Sequence, residues 1–455
     1  MKRTQYKFFF QIVSLVFLFG CLGTESDGEG SSSGGSLSLQ AVGKDGAAAL
    51  RWIGSQSTGL QYNVFQSEAS SESGVPVAET SEESYEADGL SNGTSYRFVV
   101  EGVDERGEST GPYAEVVVTP SDWPEPDLIA GEGDFLAPWS VSYMAIDSEL
   151  NIYALSERNG NQGGPFYYEY HNGELVTAVD ISTNQEREGL STFGFSYPPH
   201  SDIAVDCQGA PHVVTESNDS IFYYGQQEDG SWLDEVPISD DSGEALIPPR
   251  IGVLSDGTVY TIWQSFDFLA YEVLYSFLEE GGWTIPVHVP FPEGFHELES
   301  QTAQYALDDG GIVHLLGSCS ASDTCYRRYE DQEWSEPDSI PKFSSGASRS
   351  DSSMAVDDNG VVHIAWSEFF NAAPGQPPIL SIFYSKLEDG QWSDPMALFS
   401  SNASYGINVG DVGISVDCSG KVHVLWNDGY WYFVDEGGKG SVSGNSQLIL
   451  HRQSG

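Results

Sequence analysis

Positive charge is scarce in this chain. Its 455 residues include 18 lysines and arginines against 68 aspartates and glutamates, a formal net charge of −50. Such a field repels phosphate backbones and excludes nucleic acid as a partner. It suits a protein kept soluble by its charge, and cation binding by surface carboxylates is the sharper alternative. Long amphipathic helical patterns are missing too, whereas Gly numbers 50 and aromatic residues make up 13 % of the chain. That balance points to short strands and many turns. Beyond the N-terminal apolar run no segment approaches membrane-spanning length. No Ser/His/Asp or Cys/His/Asn set sits in a motif context. The length asks for two or more domains.

What is present is a turn that keeps returning. Met354-Ala-Val-Asp357-Asp-Asn-Gly360-Val-Val-His363-Ile-Ala-Trp366 recurs as 203–214, 251–263, 305–316 and 414–426, with a worn copy at 144–155. Each copy is an apolar strand ending near an Asp, a tight Gly turn and a second apolar strand. The anchors Asp147, Asp206, Leu254, Asp308, Asp357 and Asp417 lie 59, 48, 54, 49 and 60 residues apart. Six copies near that period predict a radial repeat of four-stranded blades. A second pattern follows most copies, with Tyr224…Trp232, Tyr275…Trp283, Tyr326…Trp334 and Tyr384…Trp392 keeping one interval. It reads as a third strand, a hairpin and a fourth strand opening on Trp.

The last copy has no Trp strand after it. Trp123-Pro-Glu-Pro-Asp-Leu-Ile129 imitates Trp334-Ser-Glu-Pro-Asp-Ser-Ile340, so residues 123–129 are expected as the outer strand of the sixth blade, beside 448–451. Such a closure removes an open sheet edge.

At the N-terminus, Lys2, Arg3 and Lys7 precede the apolar run Phe8–Phe19, the pattern of a secretory signal over 1–20. Leu18-Phe19-Gly20-Cys21 resembles the bacterial lipoprotein lipobox, departing from it at Phe19. The resemblance implies that Cys21 becomes the acylated N-terminus and that the membrane is met by the lipid anchor only, at the outer membrane or cell surface of a bacterium; plain secretion is the alternative. Residues 21–36, acidic and Gly/Ser-rich, read as a flexible tether.

Residues 37–120 alternate as short strands between turn clusters and predict an Ig-like β-sandwich. Trp52, Tyr62 and Leu90-Ser-Asn-Gly-Thr-Ser-Tyr96 resemble a fibronectin type III domain. That likeness implies a core role for Trp52 and Tyr62, a tyrosine corner at Tyr96, and a spacer. The predicted fold is thus all-β, the sandwich followed by a six-bladed propeller over 121–455.

The Tyr-Ser…Asp-Gly…Trp-Ser-x-Pro strings, clearest at Tyr384-Ser385-Lys-Leu-Glu-Asp389-Gly390-Gln-Trp392-Ser-Asp-Pro395, look like the Asp boxes of the sialidase-like propeller superfamily, with a hairpin one residue shorter. In that family the box is structural. Its chemistry needs three arginines, and only Arg250 and Arg349 stand between blades here. No carboxylate pair can be singled out for other glycoside hydrolysis.

Propellers bind on the face that carries the connections between blades and between second and third strands. The binding candidates there are Trp139, Phe195, Tyr197, Arg250, Phe268, His296, Arg349, Phe370, Tyr405 and Trp431. Aromatic faces beside polar groups suit a glycan or a surface protein. The expectation is recognition without catalysis by a monomer; a glycoside hydrolase or lyase and a cell-envelope scaffold are the alternatives.

His212, His314, His363 and His423 share one repeat position, taken elsewhere by Tyr153 and Tyr260. They stand on separate blades, too far apart for one ion, so bonds to neighbouring turns are expected and no metal or other cofactor; calcium at the Asp turns is the weighed alternative. Cys319 and Cys325 are expected to form a disulfide. Cys207 and Cys418 occupy equivalent turns of the second and sixth blades, expected too far apart to bond.

Overall fold

The computed structural model describes residues 37–454 apart from 55–60, 72–73, 104–108, 125–126, 131–143, 157–164, 172–173, 183–184, 187–200, 218–219, 228, 239–246, 267–270, 293–302, 321–322, 344–347, 371–378, 403–411 and 436–439. The described regular structure is all β, in small antiparallel sheets, with no helix among the described residues. The expected signal, Cys21 and the tether lie outside the described residues.

The first strand, Leu37–Lys44, alternates buried and half-buried residues along its length, the period of a strand with one face on a core. It pairs with Ala47–Gly54, which pairs with Ser84–Asp88. A second sheet runs Val75–Thr80, Gln61–Glu68, Tyr96–Val103, Ser109–Val118. The two share one core of Leu39, Leu50, Trp52, Val64, Phe98 and Val116 among others. Trp52 meets Tyr62 edge-on at 5.5 Å. The Tyr96 hydroxyl accepts from the Ser91 N–H at 3.1 Å, holding the corner that enters its strand.

Six sheets follow in chain order. Their first strands are Met144–Ile146, Ser201–Val205, Ile247–Val253, Gln304–Leu307, Ser348–Val356 and Val412–Val416, numbered here as sheets one to six. Each first strand pairs with a second across the repeated turn. In sheet two the Gly209 N–H donates to the Asp206 carbonyl at 3.0 Å, and the Asp206 N–H to Ala210 at 3.0 Å. The last residue of that turn needs a left-handed backbone, which Gly adopts at little cost; Gly209, Gly257, Gly311, Gly360 and Gly420 all have φ between 75° and 87°. In the worn copy the position is held by Leu150 at φ 66°.

The first strands touch in sequence, one to two through to six, and six touches one. Apolar side chains fill the gaps. Trp263 and Ile251 of sheet three meet Val214 and Tyr223 of sheet two, and Trp366 and Phe383 of sheet five meet Leu316 and Tyr326 of sheet four. Each such buried side chain stabilises by about 1.5–3 kcal/mol. The outer Trp of one sheet packs on a Tyr of the preceding sheet: Trp232 on Tyr167 at 4.8 Å, Trp283 on Tyr223 at 5.2 Å and Trp392 on Tyr326 at 5.8 Å. Trp123, although it precedes all six sheets in sequence, packs on Tyr384 of sheet five at 4.9 Å in the same manner. Asp127–Ala130 pairs with Gly440–Gln453, at Leu128↔Leu450 and Asp127↔His451, as the last strand of sheet six.

Two features depart from the sequence reading. The sandwich is not a detached spacer: Leu37–Lys44 also pairs with Met396–Asn402 of sheet five, from Leu39↔Asn402 to Val42↔Phe399. The Thr119 N–H adds a bond to the Ala397 carbonyl at 3.1 Å, and the Ser400 hydroxyl accepts from Val117 at 3.3 Å. Within sheet five alone that outer strand would be an open edge, and the first strand of the sandwich pairs with it. Cys207 and Cys418, expected apart, are bonded with Cα atoms 5.6 Å apart. Turns at the corner between first and second strands converge, as the Ser255 N–H on Asp309 of the next sheet at 3.0 Å illustrates. Positions on sheets two and six therefore meet past sheet one. Cys319 and Cys325 are also bonded, with Cα atoms 5.7 Å apart.

Candidate functional site

The two ends of the sheets differ in chemistry. At the turn end the aspartates are occupied. Asp206 accepts from the N–H groups of Gln208 and Ala210, both at 2.8 Å, Asp357 from Asn359 at 2.9 Å and Val361 at 2.8 Å, and Asp417 from Ser419 at 2.8 Å and Lys421 at 3.0 Å. Their second oxygen faces the repeated imidazole: His314 Nε2 is 3.3 Å from Asp308 and His423 Nε2 is 2.9 Å from Asp417. On the other side of the ring, Nδ1 of His212, His314 and His363 lies 2.7, 2.8 and 2.8 Å from the hydroxyls of Tyr223, Tyr326 and Tyr384.

Burial holds His212, His363 and His423 below the usual imidazole range, which keeps them neutral within these bonds. In sheet one the Tyr153 hydroxyl donates to Asp147 at 2.9 Å instead. In sheet three, where Leu254 replaces the Asp, the Tyr260 hydroxyl accepts from Leu307 at 3.1 Å. These groups close turns and join sheets. Among the described residues no His, Cys, Asp and Glu side chains are grouped as a metal ion requires.

The opposite end holds the arginines. Arg250 and Arg349 each stand beside a register shift in a first strand, between Ile247 and Arg250 and between Arg349 and Asp351. A bulge re-aims the side chain beside it. Arg250 lies 3.7 Å from Asp202 of sheet two, whose other oxygen accepts from Ile251 at 2.9 Å. Burial pushes the Asp202 carboxyl up to about 6, against the pull of Arg250. On the adjoining second strand Gln264 is fully buried, accepts from the Tyr305 hydroxyl at 2.9 Å, and has no partner for Nε2 among the described residues.

Sheet five carries the more distinctive group. The Arg349 guanidinium lies over Trp366, 4.9 Å from the ring centroid. Its Nη2 donates to the Pro341 carbonyl at 3.0 Å. Its strand partner is Glu368, 1 % exposed, which accepts from the Trp366 indole N–H at 2.9 Å. Burial lowers the pKa of Arg349, with Glu368 opposing. Nε and Nη1 of Arg349 are buried with no hydrogen-bond partner among the described residues. Two uncommitted N–H groups on a cation are donors that an acceptor reaching them would satisfy.

Of the ten sequence candidates, these two arginines alone have described side chains. Phe370 and Trp431 are placed on strands by their backbone. Trp139, Phe195, Tyr197, Phe268, His296 and Tyr405 lie outside the described residues. Arg250 and Arg349 sit on sheets three and five with sheet four between them, each with its own carboxylate. Asp202, Gln264, Trp366 and Glu368 escaped the sequence reading. Only the strand register could have found Glu368, which requires the bulge position to be known.

No protein family matches the chain, and no curated relative does. Among solved structures, a protein of unknown function from Dyadobacter fermentans aligns at 11 % identity and a TM-score of 0.43, over 72 % of this chain and 98 % of that one. An ulvan lyase, a polysaccharide lyase, aligns at 11 % identity and a TM-score of 0.37, over 70 % and 87 %. The lectin of Aleuria aurantia aligns at 10 % identity and a TM-score of 0.35, over 66 % and 93 %. With TM-scores below 0.5, these likenesses assign no activity to the chain.

Proposed function

We propose that this is an exported protein, lipid-anchored through Cys21, whose six-bladed, sialidase-like propeller binds a glycan or a surface protein without transforming it. Its parts are a signal over 1–20, a tether over 21–36, a fibronectin type III-like sandwich over 37–120 and the propeller over 121–455. The circle of first-strand contacts supports six blades. The packing of Trp123 and the pairing of Asp127–Ala130 support closure by the strip after the sandwich.

The observation that carries the recognition reading is the Arg349–Trp366–Glu368 group. It holds a cation packed on a buried indole, with two N–H groups that have no hydrogen-bond partner among the described residues. Binding surfaces built of rigid aromatics and a few placed polar groups recognise sugars and protein side chains alike. A hydrolase or lyase reading draws instead on Asp202, whose raised titration resembles that of a general acid. An envelope scaffold would leave the Arg349 group unliganded.

A glycan array and a fluorogenic glycoside panel on residues 37–455 separate the three. Saturable binding that Arg349→Ala weakens about tenfold, with no turnover, is expected. Turnover abolished by Asp202→Asn would overturn the binding reading, and silence in both assays would favour a scaffold. Metabolic labelling with palmitate, lost in Cys21→Ala, tests the anchor.

A further inference from the structure

The outer edges of the sheets are guarded in two ways. In sheets two, three and four the outer strands are short: Val236–Pro237 has two residues, Val287–Pro290 four and Asp338–Ser339 two. Proline also stands where these strands would accept another. The Ile238 N–H bonds inward to the Ile221 carbonyl at 2.8 Å and the Phe291 N–H inward to that of Tyr271 at 3.3 Å. The residue before each, Pro237 or Pro290, therefore points outward and offers no N–H. Pro337 and Pro341 bracket the strand of sheet four. Sheet five is the exception. Met396–Asn402 runs seven residues with neither charge nor proline, and an uncharged run of that kind pairs readily with another strand. Its guard is the sandwich, and with it in place residues 397–402 are at most 3 % exposed. Ala397 stands five residues past Trp392, as Pro237 stands past Trp232, and its outward N–H donates to Thr119 Oγ1 at 3.1 Å. The join carries a cost: the Asn402 amide and the Ser401 hydroxyl are buried with no hydrogen-bond partner among the described residues. A polar group orphaned in this way regains its bonds to water when it is exposed.

We infer that Met396–Asn402 is a self-association edge that the sandwich holds shut. Once Leu37–Lys44 lets go, the edge pairs antiparallel with the same edge of a second copy of this chain. Two identical strands related by a two-fold axis match each other in antiparallel register, each donor meeting the acceptor its twin presents. The backbone groups of residues 399–402 that now face Leu39–Val42 would be satisfied by the twin strand in the same way. The net charge of −50 opposes any contact between copies. The edge itself adds no charge to that repulsion, and salt screens the rest. The sandwich thus does for sheet five what proline does for sheets two, three and four: it denies the edge a strand from another molecule.

The test is sedimentation of residues 35–455, which form one compact unit, with amide hydrogen exchange at 39–42 reporting the pairing. Gly43→Val is the releasing variant, because its side chain would strike the Thr119 carbonyl. The unsubstituted chain is expected to be a monomer. In Gly43→Val, exchange at 39–42 should rise about tenfold or more, together with a species of doubled mass whose share grows with added salt. Gly43→Val with Ala397→Pro, which gives sheet five the proline of sheet two, should return to monomer while exchange at 39–42 stays fast. A doubled mass with 39–42 still protected would mean sandwiches exchanged between copies and would overturn the edge pairing. So would a released variant that stays monomeric at high salt. If Gly43→Val does not fold or does not release the strand, the unsubstituted chain in graded urea decides. Loss of protection at 39–42 ahead of Val362–Phe370, with a doubled mass, would uphold the inference, and a strand that stays paired until the whole chain unfolds would sink it.

Discussion

In sheet five the repeated turn has all its parts: Asp357 accepts two backbone N–H groups, Gly360 takes φ 75°, and His363 stands between Tyr384, 2.8 Å from its Nδ1, and Asp357, 3.6 Å from its Nε2. In sheet one Leu150 stands where Gly belongs, Tyr153 replaces the His, and among the described residues Leu425 of sheet six packs on its far side. Yet both sheets form. Sheet five is held by its own turn, by broad packing on both sides and by the added strand of the sandwich. Sheet one is held by its neighbours and by a covalent bond that passes it by. Packing neighbours let a weak repeat persist, because the loss of local order there is met by constraints supplied elsewhere.

The strongest way to break that comparison is to remove the long-range bond. Cys207→Ser with Cys418→Ser opens a loop of sequence separation 211, and the chain-entropy relation puts the loss at about 5 kcal/mol. The same change at Cys319 and Cys325, separation 6, should cost about 2 kcal/mol. Urea midpoints of the two double variants measure the difference. Next comes the core of sheet five. Trp366 is 1 % exposed, and Trp366→Ala should cost about 4 kcal/mol by cavity formation, with loss of the Arg349 contact as a local signature.

The seam between sandwich and sheet five is sensitive in the opposite sense. A Cβ at Gly43 would strike the Thr119 carbonyl. Gly43→Val is therefore expected to overpack the seam by about 2 kcal/mol, seen as a lower urea midpoint.

Acid separates the two sheets again. Burial lowers the folded-state pKa of His363 from its ordinary 6.5. Below that value the unfolded chain takes up a proton that the folded chain refuses, so stability falls as pH drops from 6.5 through the folded pKa. His212 and His423 act in the same direction. Exchange protection in sheets two, five and six should fall on mild acidification, whereas sheet one, with Tyr153 at that position, should respond less. The smallest effect is the transplant of the worn turn: Gly360→Ala places a side chain at φ 75° and should cost about 1 kcal/mol in thermal unfolding.

Much of the architecture was legible because it is local. An Asp three residues before a Gly, flanked by apolar strands, closes its own turn by bonds within five residues, as Asp417 does with Ser419 and Lys421. The expected histidine bond to the turn, made by His423 to Asp417 at 2.9 Å, follows from the same short reach, whereas Nε2 of His212, His314 and His363 has no hydrogen-bond partner among the described residues. The candidate site was legible only in part. Arg250 and Arg349 could be picked out by scarcity, but their partners Asp202 and Glu368 carry no mark among 68 acidic residues.

By itself, then, the sequence determined the strands, the six turns and the apolar faces, all of which depend on neighbours a few residues away. Tertiary structure alone decided that Cys207 reaches Cys418, that the sandwich extends sheet five through Leu39–Val42, and that a bulge seats Arg349 over Trp366. Those outcomes depend on how far turns converge and which sheet edge lies uncovered. These are properties of the assembled sheets, and a one-dimensional pattern of residues does not encode a distance between positions 211 apart.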